Sequence, residues 1–151
     1  MSKPRSEAVI IIDTREQTPW RLPGAVRATL TTGDYSVQGM ETIAVIERKS
    51  LDDLVHSLTW ERDRFERELA RMMSIRWRAV VIEGGIPDII TARYTSMATP
   101  ESVLGSCIAL SLDYLTPFVF CGDRQGAATY ALRWLRKVWD RHGQETERKN
   151  S

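Results

Sequence analysis

The feature that most constrains the fold is a set of short apolar runs rich in β-branched residues. Residues 9–12 (Val-Ile-Ile-Ile) form one uninterrupted run, and residues 79–82 (Ala-Val-Val-Ile) form another. A strand without polar positions is typical of a sheet covered on both faces, because each side of the strand then needs an apolar neighbour. We therefore expect a central sheet with helices packed on it.

The order of the predicted elements indicates the fold class. Strands are predicted over residues 9–12, 29–32, 35–38, 43–49, 78–83 and 118–120. Helices are predicted over residues 51–58, 61–75, 86–92, 101–114 and 125–142. Several strands, among them a hairpin, come before the first helix, and strands and helices then alternate. This order predicts an α/β fold with a mixed central sheet flanked by helices.

Length and composition indicate one globular domain. The chain has 151 residues, of which 42% are apolar and 27% are charged, and this is sufficient for a buried core. We expect the domain over residues 8–143, with flexible termini at residues 1–7 and 144–151. No apolar run approaches the roughly 20 residues that span a bilayer, and the polar N-terminus lacks a signal-peptide core. We therefore expect a cytoplasmic protein without membrane contact, nucleoid-associated in a prokaryote or in the host cell for a virus.

The cysteines and most of the arginines fit ordinary structural roles. Cys107 and Cys121 lack the spacing of a zinc site, so we expect reduced, packed thiols. A net charge of +1 gives no electrostatic footprint of a nucleic-acid-binding domain. Many arginines lie within residues 62–78 and 124–141, where interleaved acidic residues favour solvated helix faces for most of them.

A charged motif, Glu47-Arg48-Lys49, follows the apolar residues 43–46. In a strand, the alternation of side chains puts Glu47 and Lys49 on one face and Arg48 on the other. A carboxylate and an ammonium at the end of a buried strand are costly to desolvate without partners. A divalent cation and a substrate phosphate are suitable partners, and this indicates phosphodiester chemistry.

The same segment also fits an ordinary junction between a strand and a helix. Ser50 and Asp53 have the spacing of a helix capping box, and Glu47 and Lys49 would then be an exposed pair of little energetic weight. The tripeptide recurs at residues 147–149 with no strand before it and no aspartate after it, and we assign that copy no role. From the motif alone, both interpretations stay open.

Further acidic residues lie at or near the ends of predicted strands. They are Asp13, Glu16, Asp34 and Asp53, in addition to Glu47. If the hairpin and the first strand are neighbours in one sheet, these side chains meet at one edge. Because close carboxylates repel each other, a cation would stabilise such a group, and oxygen ligands favour Mg²⁺ or Mn²⁺. Lys49 would then stabilise charge on the phosphate during attack by an activated water, although Asp13 and Asp34 also fit simple turns.

Three segments together resemble the motif series of the XPF family nuclease domain. They are Asp13-Thr14-Arg15-Glu16, Gly33-Asp34-Tyr35, and the run Glu-Arg-Lys-Ser-Leu-Asp-Asp at residues 47–53. The family signature is a GD pair followed by ERKxxxD, and the resemblance extends over residues 9–84. Residues 64–69 resemble the arginine-containing helix after the motif, although many members have Gly in place of Asp63 and Gln in place of Glu68.

The resemblance implies a restriction-endonuclease-like fold and metal-dependent cleavage of branched DNA, such as flaps, forks or strand junctions. It implies that Asp34, Glu47 and the carbonyl of Arg48 bind Mg²⁺ or Mn²⁺. The residues implied to be catalytic are Asp13, Asp34, Glu47, Arg48, Lys49 and Asp53. The residues assigned to substrate binding are Arg15, Glu16 and Arg64.

Three functions stay open at this point. The first, which the retained acidic residues favour, is a Mg²⁺-dependent endonuclease acting on branched DNA in repair or recombination. The second is a non-catalytic DNA-binding or scaffold partner. The third is a nuclease subunit that needs a separate DNA-binding partner, because the helicase-like and helix-hairpin-helix regions of eukaryotic members are not recognisable in this sequence. Members also pair through this domain, and Trp134, Leu135, Val138 and Trp139 either form a homodimer face or pack on the sheet.

Overall fold

The computed structural model describes residues 6–150, so residues 1–5 and 151 of the termini predicted to be flexible lie outside the described range. Its strands are β1 (Ile10–Asp13), β2 (Val26–Ala28), β3 (Tyr35–Val37), β4 (Ala44–Ser50), β5 (Trp77–Glu83) and β6 (Phe118–Phe120). Its helices are α1 (Leu51–Leu58), α2 (Arg62–Met72), α3 (Ile86–Ile90), α4 (Pro100–Asp113) and α5 (Arg124–Lys149).

The strands of the described residues form a six-stranded sheet in the order β2-β1-β3-β4-β5-β6. β3 is antiparallel to both of its neighbours, β1 and β4, whereas the other adjacent pairs are parallel. The predicted α/β fold with a mixed sheet is therefore confirmed. Because β1 and β4 run in the same direction on either side of β3, their C-terminal ends and the start of β3 lie at one edge of the sheet.

Helices cover both faces of the sheet, as the apolar strands require. On one face, Val45, Val80 and Ile82 pack against residues of α1, α2 and α4. On the other face, Ile46 and Val81 pack against residues of α5. Alternation along β4 and β5 therefore sends successive side chains into two separate apolar layers, and the charged residues at the strand ends follow the same alternation.

Two helices begin at residues whose side chains cap them. Ser50 caps α1, because its Oγ accepts a hydrogen bond from the Asp53 N–H at 3.1 Å. Thr99 caps α4 in the same way, with Pro100 as the first helical residue. The cap at Ser50 turns the chain directly from β4 into α1, which fixes the charged end of β4 beside this helix.

The structure corrects one predicted strand. Residues 29–32 are irregular, and the strand in this region is β2, which pairs with β1 in parallel. The N–H of Leu30 donates to the Asp13 carboxylate at 2.8 Å, so it is not available to a strand ladder. Because this hydrogen bond joins residues that are far apart in sequence, local β-propensity does not predict it.

The structure also corrects the end of the last helix. α5 continues to Lys149, whereas the predicted helix ended at residue 142. Glu145 forms an ion pair with Arg76, and His142 packs edge-on against Trp77 with ring centroids 6.4 Å apart. These contacts with the start of β5 explain why the helix extends beyond its apolar stripe.

The alternative in which the aromatic face of α5 packs on the sheet is the correct one. Leu135 and Val138 are buried, and Trp134 and Trp139 pack against the same core. These four residues therefore contribute to the core of the domain. The exposed large apolar side chains include Ile108, Leu112 and Leu115, on and after α4.

Two further expectations concern the cysteines and the membrane. Cys107 is buried and Cys121 is half-buried, and both are free thiols, as expected. Among residues 6–150, no helix combines the length and the apolar character needed to cross a bilayer.

Candidate active site

An open cavity of about 530 Å³ lies at the edge where β1 and β4 end, between the sheet and helices α1 and α2. Every residue predicted from the sequence as a site residue lines this cavity. These residues are Asp13, Arg15, Glu16, Asp34, Glu47, Arg48, Lys49, Asp53 and Arg64. The sheet order brings them together, because β1, β3 and β4 are adjacent.

Glu47 and Lys49 lie on the same face of β4, as alternation predicts, and pair with each other in the cavity. Lys49 Nζ lies 3.2 Å from Glu47 Oε2 and 4.9 Å from the centre of the Phe65 ring. The Glu47 side chain is 6% exposed, and its Oε1 has no hydrogen-bond partner within the described part of the chain. A buried carboxylate oxygen without a donor is costly, so this atom is suited to bind a cation.

The surroundings of Glu47 and Lys49 raise the pKa of both groups. Burial raises the pKa of the Glu47 carboxyl well above its ordinary value, and the nearby carboxylates of Asp34 and Glu68 raise it further. Burial acts to lower the pKa of Lys49, but the charges of Glu47 and Glu68 outweigh it and raise that pKa. Lys49 is therefore a firmly protonated cation beside carboxylates that repel one another.

Asp34 lies next to Glu47 because Gly33 allows a close turn before β3. Gly33 has φ of +85°, and a Cβ at this position would lie 2.9 Å from the Val45 Cβ, so only glycine fits. The Asp34 Oδ2 accepts the N–H of Arg48 at 2.7 Å. Burial raises the pKa of Asp34 to about 6, even though hydrogen bonding acts in the opposite direction.

Asp13 lines the cavity, but its carboxylate is already occupied. It accepts hydrogen bonds from Arg15 Nε at 2.8 Å and from the Leu30 N–H at 2.8 Å. Burial acts to raise the pKa of Asp13, but the hydrogen bonds from Arg15 and Leu30 lower it below its ordinary value. Asp13 therefore lies at the cavity with the other carboxylates, and the hydrogen bond that it accepts from the Leu30 N–H anchors that segment of the chain.

The backbone N–H and the side chain of Arg48 have different partners. Its N–H faces Asp34, while its guanidinium lies on the other face of the sheet and pairs with Glu83 and Glu16. The predicted alternation is thus observed. The charged group of Arg48 contacts these two carboxylates on the face opposite to Glu47 and Lys49.

Asp53 and Arg64 lie on the helices that line the cavity. Asp53 is exposed in the first turn of α1. Arg64 on α2 is 78% exposed, and its Nη1 lies 3.9 Å from Glu61 Oε2. At this distance and exposure the pair is weak, so Arg64 is available to a phosphate.

Several cavity residues were not predicted as site residues. They are His56 and Ser57 on α1, Glu68 and Arg71 on α2, and Glu61 just before α2. Positions 61, 64, 65, 68 and 71 recur every three or four residues and so share one face of α2. This spacing was visible in the sequence, but only the packing of α2 shows that the face is turned towards β4.

The residues present fit a hard divalent cation. No group of three or more His, Cys, Asp or Glu side chains within residues 6–150 is arranged as a metal site. Magnesium, however, usually takes only one or two protein carboxylates and keeps several waters. The unpartnered Glu47 Oε1 and the adjacent Asp34 supply such a donor set.

Comparisons with known proteins agree with this fold. The family model described as the ERCC4 domain matches residues 12–133. A solved structure of XPF from Aeropyrum pernix superposes with a TM-score of 0.68 at 22% identity, covering 91% of this chain and 68% of that one. A second structure of that protein, in complex with DNA, gives a TM-score of 0.67 at 23% identity and covers 89% and 66%. The chain thus spans about two thirds of the length of these structures, and no curated protein matches it.

Proposed function

Because this chain belongs to the ERCC4 domain family, the XPF family of nucleases, we propose that it is a metal-dependent endonuclease that hydrolyses phosphodiester bonds in branched DNA during repair or recombination. The observation that carries this proposal is the pair of adjacent carboxylates, Asp34 and Glu47, beside the buried ammonium of Lys49. An unpartnered buried oxygen and a firmly protonated lysine in one open cavity suit a cation and a phosphate.

Asp34 and Glu47 would hold Mg²⁺ or Mn²⁺ together with the Arg48 carbonyl. In an extended strand the N–H and C=O of one residue point to the same neighbour, so the Arg48 carbonyl is on the side of Asp34, as its N–H is. The bound cation would supply Lewis-acid activation of the phosphate and of the attacking water. Lys49 would stabilise the negative charge that develops on the phosphate.

The arginines around the cavity suit a nucleic-acid backbone. Arg15, Arg64 and Arg71 line it, and the planar guanidinium group binds phosphate oxygens in pairs. The A. pernix XPF structure in complex with DNA concerns that protein, and it supports DNA as the substrate here by family membership. We propose branched DNA because the motif series resembles that of nucleases that cut flaps and forks.

A cleavage assay with a panel of DNA structures tests the proposed function. Labelled single-stranded, duplex, flap and fork substrates are incubated with the protein in Mg²⁺, Mn²⁺ or EDTA. We expect cleavage of the flap or fork with either metal and none in EDTA. Binding without cleavage of any substrate would favour the non-catalytic DNA-binding partner, and cleavage only after a candidate partner is added would favour the dependent subunit.

Arg64→Gln is expected to weaken DNA binding without changing the chemical step. We expect KM for the cleaved substrate to rise about threefold to tenfold, kcat to stay unchanged, and the salt dependence of binding to fall by about one counterion. Arg67→Gln is the matched control, because Arg67 is exposed on the same helix but does not line the cavity. An unchanged KM in Arg64→Gln would contradict the assignment of Arg64 to substrate binding.

The oligomeric state is a separate proposal. A homodimer and a separate DNA-binding partner both remain predictions, and Trp134, Leu135, Val138 and Trp139 of α5 pack on the sheet. Sedimentation velocity of the protein with and without a fork substrate distinguishes a monomer from a dimer.

A further inference from the structure

The guanidinium of Arg48 is enclosed by partners on the face of the sheet covered by α5. Its Nε and Nη2 donate to the two carboxylate oxygens of Glu83 at 3.1 and 3.0 Å, a bidentate pair. Its Nη1 donates to Glu16 Oε2 at 3.3 Å, and its Cζ lies 5.8 Å from the centre of the Trp20 ring. The side chains of Arg48 and Glu83 are 12% and 7% exposed, so the pair is shielded from water.

These partners also bind one another and form a closed ring. Trp20 Nε1 donates to Glu83 Oε2 at 2.8 Å, and the Trp20 N–H donates to the hydroxyl of Tyr35 at 2.9 Å. That hydroxyl donates to Glu16 Oε2 at 2.8 Å, and Glu16 in turn accepts from Arg48. The ring, consisting of Glu16, Trp20, Tyr35, Arg48 and Glu83, ties β3, β4 and β5 to the segment between β1 and β2.

The ring holds Asp34 from two directions. Tyr35 follows Asp34 directly in the chain, and Arg48 donates its N–H to Asp34 Oδ2 at 2.7 Å. The Asp34 side chain lines the cavity. The orientation of Asp34 therefore depends on the hydrogen bonds that hold Tyr35 and Arg48 in the ring.

A role in stability alone does not account for this arrangement. Burying an ion pair costs about as much as its attraction returns, so replacement by apolar residues is often neutral or stabilising. A buried ion pair can instead fix the orientation of its neighbours, as residues that hydrogen-bond to metal ligands often fix the orientation of those ligands. The bidentate contact between Arg48 and Glu83 is suited to this role, because it fixes the guanidinium plane as well as its distance.

We propose that Glu83 is a positioning residue for the metal-binding carboxylate of Asp34, acting through the guanidinium and the backbone N–H of Arg48. In this arrangement the guanidinium of Arg48 acts through its contacts with Glu83 and Glu16, on the face of the sheet opposite to Glu47 and Lys49. Loss of Glu83 leaves the guanidinium with one weaker carboxylate partner, so β4 and the Asp34 turn become less firmly held. The effect of Glu83 on metal binding rests on the proposed function. Its effect on the Asp34–Arg48 hydrogen bond does not.

The test compares Glu83→Gln with a control on the same strand. Amide hydrogen exchange reports the Arg48 N–H directly, without metal or DNA. We expect its exchange to become at least about tenfold faster relative to other β4 amides, and the Kd for Mn²⁺ to rise about tenfold to a hundredfold. We expect kcat to fall by a similar factor while KM for DNA stays unchanged.

Arg78→Met is the matched control. Arg78 is also on β5 and makes three hydrogen bonds, to Thr116 and to the carbonyls of Ile75 and Leu115, away from the cavity. We expect it to lower the melting temperature while leaving Arg48 exchange, Mn²⁺ affinity and kcat as in the wild type. If Glu83→Gln folds poorly, Arg48→Lys replaces it in the test, because lysine keeps the charge but loses the bidentate contact. We expect the same changes in Arg48 exchange, Mn²⁺ affinity and kcat.

The outcomes separate this proposal from the proposed function. Uniformly faster exchange in Glu83→Gln, or an unchanged Mn²⁺ affinity, would reduce Glu83 to a structural role and overturn the positioning proposal. A wild type that binds Mn²⁺ but cuts no DNA would overturn the nuclease, while the exchange and Mn²⁺ results would still support or refute the role of Glu83. A wild type that does not bind Mn²⁺ would overturn both.

Discussion

Lys49→Met is expected to lower kcat for metal-dependent DNA cleavage about a hundredfold to a thousandfold, the usual cost of removing one group that stabilises transition-state charge. The substitution removes the ammonium but keeps most of the apolar stem against Phe65. Because the pKa of Lys49 is raised, the group is charged throughout the neutral range, and its loss removes a full positive charge. Single-turnover cleavage of a labelled fork in Mg²⁺ measures the effect.

Lys137→Met is the matched control for this substitution. Lys137 is exposed on α5, outside the cavity, so the same change of charge there should leave kcat unchanged. Thermal melting confirms that Lys49→Met is folded, since the change also removes the ion-pair partner of Glu47. Retention of more than about a tenth of the wild-type kcat would contradict the role assigned to Lys49.

Asp34→Asn is expected to stabilise the metal-free protein while abolishing metal binding. The asparagine carbonyl still accepts the Arg48 N–H, but the variant no longer carries a charge beside Glu47. One pKa unit is worth about 1.4 kcal/mol, so a shift from 3.8 to about 6 sets an upper limit of about 3 kcal/mol. In a domain of this size each kcal/mol raises the melting temperature by about 2–4 °C. Differential scanning calorimetry in EDTA at pH 7.5 measures the gain.

The stability difference between Asp34→Asn and the wild type should depend on pH. The pKa of Asp34 is raised in the folded state, so the protonated carboxyl stabilises the wild type below pH 3.8, and that stability is lost as the pH rises through about 6. The stability advantage of Asp34→Asn should therefore grow between about pH 4 and pH 6 and stay level above. Added Mg²⁺ should raise the wild-type melting temperature but not that of the variant. A variant no more stable than the wild type at pH 7.5 would contradict this account of Asp34.

The centre of the site was predictable because it depends on local rules. Alternation along β4 puts Glu47 and Lys49 on one face and Arg48 on the other, and all three lie as predicted. The Ser50 cap specifies where β4 gives way to α1. The premise that β1 neighbours the hairpin is confirmed by the sheet order, which is why every predicted residue lines one cavity.

The rest of the site depends on contacts between distant segments. The Asp13 carboxylate already accepts hydrogen bonds from Arg15 and from the Leu30 N–H. Leu30 lies beyond a loop whose path no local pattern predicts. Glu68 enters the site because α2 turns that face towards β4. The partner of Arg48, Glu83, is 35 positions away in sequence, and only the parallel register of β4 and β5 places them side by side.

The most direct measurement compares the wild type with Glu47→Gln in single-turnover cleavage of one labelled fork, each in Mg²⁺ and in EDTA. Glutamine keeps the shape of Glu47 but removes the charge that would bind the cation. We expect the wild type to cut only with Mg²⁺, and Glu47→Gln to cut at least about a thousandfold more slowly while binding the fork with unchanged Kd. Cleavage by the wild type in EDTA, or cleavage by Glu47→Gln at the wild-type rate, would contradict a metal-dependent nuclease centred on Glu47.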